Sequence, residues 1–491
     1  MSVNPVVTVI VVAYLLFMLW VGWYSSKKIS SNADFVVAGR RLGPFMMAGT
    51  LAATEIGGGS SLGVVQNGMG GYGLSASWYI ITMGIAFVIM SFIAPKVRNT
   101  EVKTVPEYFR RRYGKATGLI TSIITLLPLI GLTAGQFIAS AVITSTMLGI
   151  SYKAAVIITA IVVTVYSIMG GLWSVTMTDD IQVFLIVIGM IIAIPFSLKY
   201  AGGWANVMAN VPEGTMKLFN GPDKSYTLVA IVSLVIMYIA TFTVGQEAVS
   251  RFYAARDGKA AKQGALLAAL INFIYAFIPT ILGIIMLALI NMGKFNAADF
   301  ESVGARYALP MLAVETMPAV IVGLLFAGII SATMSSSDSD LLGAGAVFAN
   351  DIYKQVIKPD ASSKEVMRVT QITMALVGIL GMCIALFNLS SLTTILMFCF
   401  TLRAAGTLFP YVFGMYWKGA STIGTIASLI GGTVVVVYLE QFSATGNFLG
   451  WNWGGQKIIP GLLVALVLFL VFSFIFPPKN KTTELAPEEE F

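Results

Sequence analysis

The stretch TLAATEIGGGSSLGVV, residues 50–65, decides the fold. It is apolar enough to enter a bilayer, yet Gly57-Gly58-Gly59 and Ser60-Ser61 stand at its middle. Each interior glycine weakens a helix by about 1 kcal/mol relative to Ala, so three in succession predict unwinding near 55–61. A second interruption lies in YIATFTVGQEAVSRF, residues 238–252, where Gly245 is followed by Gln246 and Glu247. The two interrupted segments sit five apart in the order of apolar runs. Unwound backbone at membrane depth is tolerated only where protein or a cavity surrounds it. Discontinuous helices at matching places in two halves mark inverted-repeat transporters, whose freed carbonyls bind cations near the midplane.

The rest of the chain agrees. Of 491 residues, 57% are apolar and only 11% charged, with a mean hydropathy of +0.85. A soluble domain carries about 25% charged residues. Thirteen apolar runs read as spanning helices, at roughly 5–25, 44–67, 72–95, 117–149, 154–170, 179–199, 226–250, 263–292, 310–349, 367–388, 391–417, 420–439 and 459–477. The ninth is too long for one straight crossing and is expected to break or to extend as an amphipathic tail. The first has no basic residues before it and no small-residue cleavage site, so it reads as a span and not a signal peptide.

An odd number of spans puts the termini on opposite sides. With the N-terminus outside, 22 of the 30 basic residues are cytoplasmic, seven are external and Arg403 remains in the membrane. The positive-inside rule therefore orients the chain, and topology accounts for the net charge of +7. The expected organisation is one transmembrane domain, 1–478, with repeats over roughly 44–200 and 226–417. A short acidic cytoplasmic tail, 479–491, is expected to be disordered.

Several functions are excluded. The chain has no histidine, which removes Ser-His triads, histidine-ligated zinc and imidazole proton shuttles. Cys383 and Cys399 lie in apolar runs and supply neither a disulfide framework nor metal-binding spacing. No aqueous basic domain exists to bind nucleic acid, no enzyme machinery is visible and no obligate protein partner is evident. A multi-pass protein of the inner (plasma) membrane remains, its partners being the lipid bilayer and whatever it carries.

The candidate site residues lie in the interrupted segments and in AGIISATMSSSDSDLLGAG, residues 327–345. Here Ala332, Ser335, Ser336 and Ser339 fall at i, i+3, i+4 and i+7, one helical face, with Asp338 on its flank. Hydroxyls and a carboxylate are hard oxygen donors suited to an alkali cation. The run MTDDIQVF brings Asp179 and Asp180 into the membrane; one is expected to face the bundle, and Asp180 is assigned the solvated or structural role. Arg403 stands 12 residues from Ser391 and 14 from Trp417. Placing an Arg at a helix centre costs about 2.5–3.5 kcal/mol, so such residues are functional candidates by default. Its competing role is a structural ion pair with Glu55, Asp338 or carbonyls.

These residues resemble the solute:sodium symporter family over nearly the whole chain. The most specific pieces are YSIMGGLWSVTMTDDIQVF (166–184), SATMSSSDSDLLGAGAVFANDIYK (331–354), VPEYFRRRYGK (105–115) and the GQEAVSR segment. The resemblance, nearest to the proline permease and choline transporter branches, implies an all-α LeuT-type fold of two inverted five-helix repeats plus flanking helices. It implies a sodium site from Ala53, Ile56, Ala332, Ser335 and Ser336. A second sodium site of some members would fall on Asp179, Asp338 and Ser339, with a carboxylate at 338 departing from the all-hydroxyl version. On the substrate side, the sugar carriers' Gln and Glu correspond to Ser60 and Ile80, which argues against a sugar. The choline branch's two aromatic residues are replaced by Glu55 and Gly245, which largely removes a cation–π box.

The expected function is sodium-coupled import, with Na+ as coupling ion and no cofactor. The small polar solute, carboxylate-bearing or zwitterionic, is expected near Glu55, Ser60, Ser61, Trp78, Tyr79, Gln136, Phe242, Gln246 and Arg403. The alternatives are a proton-coupled amino-acid carrier of the same fold and an organic cation carrier.

Overall fold

The computed structural model describes residues 4–27, 32–219, 221–222, 226–387, 392–443, 447–453 and 457–487. Lys28 and Lys224, both used in the charge balance, lie outside this set, as do residues 488–491 of the tail. Apart from a two-residue hairpin, Asn447–Phe448 with Trp451–Asn452, the described regular structure is helical. Among the described residues ten helices are long and apolar enough to cross a membrane, or eleven with one bent pair counted as a span.

The main helices are α1 (Pro5–Ser26), α2 (Pro44–Glu55), α3 (Trp78–Arg98), α4 (Val105–Tyr113) and α5 (Lys115–Leu148). Then come α6 (Tyr152–Ala201), α7 (Leu228–Val244), α8 (Gln246–Ala254), α9 (Gly258–Tyr275) and α10 (Phe277–Asn291). The chain continues through α11 (Ala319–Val347), α12 (Ser363–Phe387), α13 (Leu392–Tyr416), α14 (Thr422–Phe442) and α15 (Ile458–Ile475).

Both interruptions are present. Helix α2 ends at Glu55, Ile56 leaves helical geometry with φ −81° and ψ 75°, and a π-helical turn restarts at Gly59–Gly63. Helices α7 and α8 meet at Gly245 with a 55° bend. The long ninth run is cut earlier than its apolarity suggests. A separate helix, Ala308–Thr316, precedes Pro318, and α11 starts at Ala319 and continues as a π-helical stretch, Phe348–Ile357. Proline lacks the N–H that a continuous helix needs, which hydropathy alone does not register. The fifth and sixth runs are two spans, Tyr152–Met169 and Thr178–Ala201, which follow one another within α6 across a kink at Gly171, whose φ of 52° suits glycine.

The serine-bearing helix α11 is the hub, packing on α1, α5 and α6 and touching α2 and α8. Every residue from Leu325 to Val347 is buried. A helix apolar and polar by turns yet buried all round must satisfy its hydroxyls internally. Ser337 and Ser339 donate to the carbonyls of Thr333 and Ser335, both at 2.8 Å.

The tail differs from expectation. Ala486 N donates to the Arg111 carbonyl at 3.0 Å, and Arg111 Nε returns a bond to the Ala486 carbonyl at 2.8 Å. The segment up to Pro487 is thus docked along α4. Its acidic composition suggested a free end; the paired backbone groups, which composition cannot show, hold it.

Candidate functional site

The helix break after Glu55 frees backbone carbonyls, since the last turn of any helix leaves its C=O groups without intrahelical donors. Ser336, on α11, fills that place. Its hydroxyl donates to Thr54 O at 2.9 Å, with Ala53 O at 3.5 Å and Ala332 O at 3.2 Å. Ser335 donates to Asp179 Oδ1 at 2.5 Å. Gly57 permits the approach: a Cβ there would stand 2.7 Å from Ser336 Oγ and 2.9 Å from Gln136 Oε1. Ala53, Ile56, Ala332, Ser335 and Ser336 are all buried at this junction of α2 and α11.

The residues of the expected second cation site divide. Asp179 is fully buried and accepts hydroxyls from Thr50 and Ser335. Asp180 is exposed, lying in an apolar groove beside Gly49 and Phe184. Asp338 accepts from Ser167, with its Oδ2 buried and without a hydrogen-bond partner among the described residues. Ser339 accepts from Arg251 Nη2 at 2.5 Å.

Arg251 is the feature that sequence reading missed. It was counted with the cytoplasmic loop cations, but it is 1% exposed and wedged between α2, α6 and α11. The available signal was its position four residues after Glu247 in an interrupted helix, on the same face. Glu247, Thr50 and Asp340 are also buried here and were not singled out.

The substrate candidates are partly brought together. Gln136 Oε1 accepts from Gly58 N at 3.0 Å. Ser60 Oγ accepts from Gly57 N and donates to Glu55 O, both at 3.0 Å, so it stitches the break. Ser61 pairs with Tyr275 at 2.8 Å. Phe242 stacks on Phe87 with centroids 4.9 Å apart. Tyr79 stands edge-on to Tyr238 and lines a cavity of about 300 Å3 together with Asn67, Tyr226, Thr401, Glu440 and Lys457.

Two candidates turn elsewhere. Trp78 Nε1 donates to Leu218 O at 2.9 Å, tying the start of α3 to a loop. Gln246 accepts from Val105 N at 2.9 Å and donates to Lys103 O at 3.3 Å, which fastens α8 to α4. Both side chains are spent on backbone groups that sequence gave no way to anticipate.

Arg403 pairs with neither Glu55 nor Asp338. Its Nη1 is 2.5 Å from Glu247 Oε1, and its Nε donates to Thr241 Oγ1 at 2.5 Å. The Nη1–Glu247 contact lacks hydrogen-bond alignment: both Nη atoms and Glu247 Oε2 have no hydrogen-bond partner among the described residues. Glu55 Oε1 is likewise buried and unpartnered, within electrostatic reach of Arg403, Arg251 and Glu247. Unsatisfied buried polar atoms are rare and need a reason. Glu55 Oε1, Glu247 Oε2 and Arg403 Nη2 are three such atoms that lie beside the helix breaks, where a polar ligand would satisfy them.

The model of the sodium:solute symporter family matches residues 35–432. The osmoregulated proline transporter OpuE of Bacillus subtilis is 25% identical over 94% of this chain and 93% of its own length. The sodium/pantothenate symporter of Haemophilus influenzae is also 25% identical, over 96% and 97%. Among solved structures, a substrate-bound, outward-open Na+-coupled sialic acid symporter superposes with a TM-score of 0.81 at 20% identity, covering 97% of this chain and 99% of that one. MHP1, a nucleobase-cation-symport transporter, gives 0.55 at 14% identity over 93% and 98%. These similarities bear out the all-helical, LeuT-type arrangement.

Proposed function

The chain belongs to the sodium:solute symporter family, and from that premise we propose that its solute is a small zwitterion of amino-acid type. The family consists of multi-pass plasma-membrane transporters, not enzymes, that use Na+ as coupling ion. The observation carrying the finer reading is a pair of buried atoms of opposite sign, Glu55 Oε1 and Arg403 Nη2, that have no hydrogen-bond partner among the described residues, while Arg403 Nη1 is taken by Glu247. An ammonium suits the first and a carboxylate the second. A solute bearing both would remove the penalty of about 1–3 kcal/mol that each unpaired buried group carries. The relatives described above carry a zwitterion, proline, in one case and an anion, pantothenate, in the other; the buried Glu55 favours the former.

In this reading sodium binds at the Ala53, Ile56 and Ala332 carbonyls and the Ser335 and Ser336 hydroxyls. It fastens the broken helix to α11 in the outward-open state, and the solute binds above it, near Tyr79 and Gln136. A ligand drives a conformational change only by its differential affinity for the two states, so sodium's preference for the outward state couples its gradient to uptake. The bundle is oriented with the N-terminus outside, the C-terminus inside and thirteen crossings: α1, α2 with its continuation to Asn67, the bent pair α7–α8, and the ten long spans with the first of them counted from Trp78.

The test is uptake of labelled proline and labelled pantothenate into proteoliposomes holding the full chain, driven by sodium and then by potassium. Sodium-dependent uptake or competition by proline or another α-amino acid is expected. Transport of pantothenate with no effect of any zwitterion, or equal rates in potassium, would refute the reading.

A further inference from the structure

We propose that the groove between α6 and α9, floored by α2 and carrying Asp180, binds a phospholipid whose headgroup ends in a primary ammonium, of the phosphatidylethanolamine class. The inference goes beyond the transport reading and concerns the protein's contact with its own membrane.

Helix α2 packs on both α6 and α9, and the two flanking helices leave a groove of about 430 Å3 over it. Its walls are Phe45, Phe184, Val187, Leu267, Leu270 and Ile274. Phe184, Leu270 and Ile274 are exposed on helices long and apolar enough to cross a membrane, so the groove opens onto hydrocarbon. An acyl chain suits such walls.

One lining residue is out of character. Asp180 is exposed, stands two residues inside the span Thr178–Ala201 and makes no ion pair among the described residues. Its Oδ1 lies against α2 at Gly49, where a Cβ would stand 1.5 Å away. The bare glycine backbone therefore gives the carboxylate its place in the groove. No Lys or Arg is among the lining residues. An ionisable side chain within a span is costly and is ordinarily paired. Here the protein supplies no cation to the groove, and a lipid headgroup can.

The chemistry of the acceptor selects the headgroup. An ethanolamine ammonium neutralises the carboxylate and donates charge-assisted hydrogen bonds to it. A choline nitrogen is sealed by methyl groups and has no N–H to give, and an anionic headgroup brings no cation. The phosphate of the same lipid also finds donors. The starts of α2 and α9 lie together, since a Cβ on Gly264 would meet Met47 Cβ at 2.3 Å and Pro44 O at 3.3 Å. Lys259 and Gln263 are exposed and precede Leu267 by eight and four residues, on the same face of α9. They continue that wall of the groove towards the helix start.

The experiment is native mass spectrometry of the purified full-length chain after equilibration with equimolar phosphatidylethanolamine, phosphatidylcholine and phosphatidylglycerol of matched acyl chains. The wild type is expected to retain phosphatidylethanolamine several-fold over either competitor. Asp180→Asn, a change at an exposed position, is expected to retain all three alike. Equal retention by the wild type, a preference for either competitor, or an ethanolamine preference that survives in Asp180→Asn would each overturn the assignment. A wild-type dimer that Asp180→Asn dissociates would give the groove to a second copy of the chain and overturn it as well. None of these results depends on the solute or on sodium, so a failure here leaves the transport reading standing.

Discussion

The Ser336 hydroxyl donates to the Thr54 carbonyl at 2.9 Å across the junction of α11 and α2. That carbonyl is available because α2 stops one residue later, at Glu55. Its neighbours are treated differently: Ala52 O still accepts Ile56 N at 2.8 Å, and Glu55 O accepts Gly57 N at 3.0 Å. The break therefore exposes carbonyls to α11 in particular. A sodium ion placed there would reinforce a contact between two helices that the Ser336 hydroxyl now makes.

Replacing Ser335 and Ser336 together by Ala should abolish sodium-dependent uptake. Contacts to a charged group are worth about 1.5–3 kcal/mol each, so two lost ligands should weaken sodium binding by roughly 100-fold or more. Solute uptake measured against sodium concentration checks this. An unchanged half-saturation would remove the site from the mechanism.

The adjacent aspartates should behave oppositely. Asp179→Asn leaves the buried Arg251 without its carboxylate, and breaking a buried pair costs about 3–5 kcal/mol; the variant should melt early and need more sodium. Asp180 makes no ion pair among the described residues and is exposed, so Asp180→Asn should change stability within about 0.5 kcal/mol. Thermal melts of both variants, with and without sodium, read this out. A damaging Asp180→Asn with a benign Asp179→Asn would reverse the facing.

The fold was legible because glycines inside apolar runs weaken a helix, even though they also serve close helix packing, and the breaks fall at Ile56 and Gly245. The serine face of α11 was legible from its 3-and-4 spacing. What stayed hidden was pairing between distant segments. Nothing local in the sequence says that Arg251 turns inward to Asp179, 72 positions earlier, or that Gln246 is consumed by the backbone of 103–105. The charge count put Arg251 in a loop because a cation next to a span end ordinarily reaches water; a buried carboxylate and two hydroxyls made the alternative cheaper. The same limit applied to Arg403, whose partner, Glu247, lies 156 residues away.

Gly245→Ala should impair transport with the fold kept. A Cβ there would stand 2.7 Å from Thr241 O and 2.8 Å from Arg403 Cζ, so the guanidinium must shift. Overpacking of this sort costs about 1–3 kcal/mol. Solute affinity should fall while sodium binding without solute is retained. Wild-type affinity in Gly245→Ala would show that the position of Arg403 against the break is immaterial.

Arg403 offers the sharpest division between a structural and a ligand-binding role. Its guanidinium can take a carboxylate through two parallel hydrogen bonds, a geometry Lys cannot reproduce. As a solute ligand, Arg403→Lys should weaken solute binding by about 1.5–3 kcal/mol and leave sodium binding nearly unchanged. The contact with Glu247 adds a second expectation. Arg403→Ala strands a buried carboxylate and should lower the apo melting temperature, whereas Arg403→Ala with Glu247→Ala should recover part of the loss, because the two effects are coupled. Solute affinity should stay low in the double variant, since restoring stability does not restore the ligand. Apo melting temperature and solute affinity across Arg403→Lys, Arg403→Ala and the double variant separate the roles. A stable Arg403→Ala protein with unaltered solute affinity would defeat both.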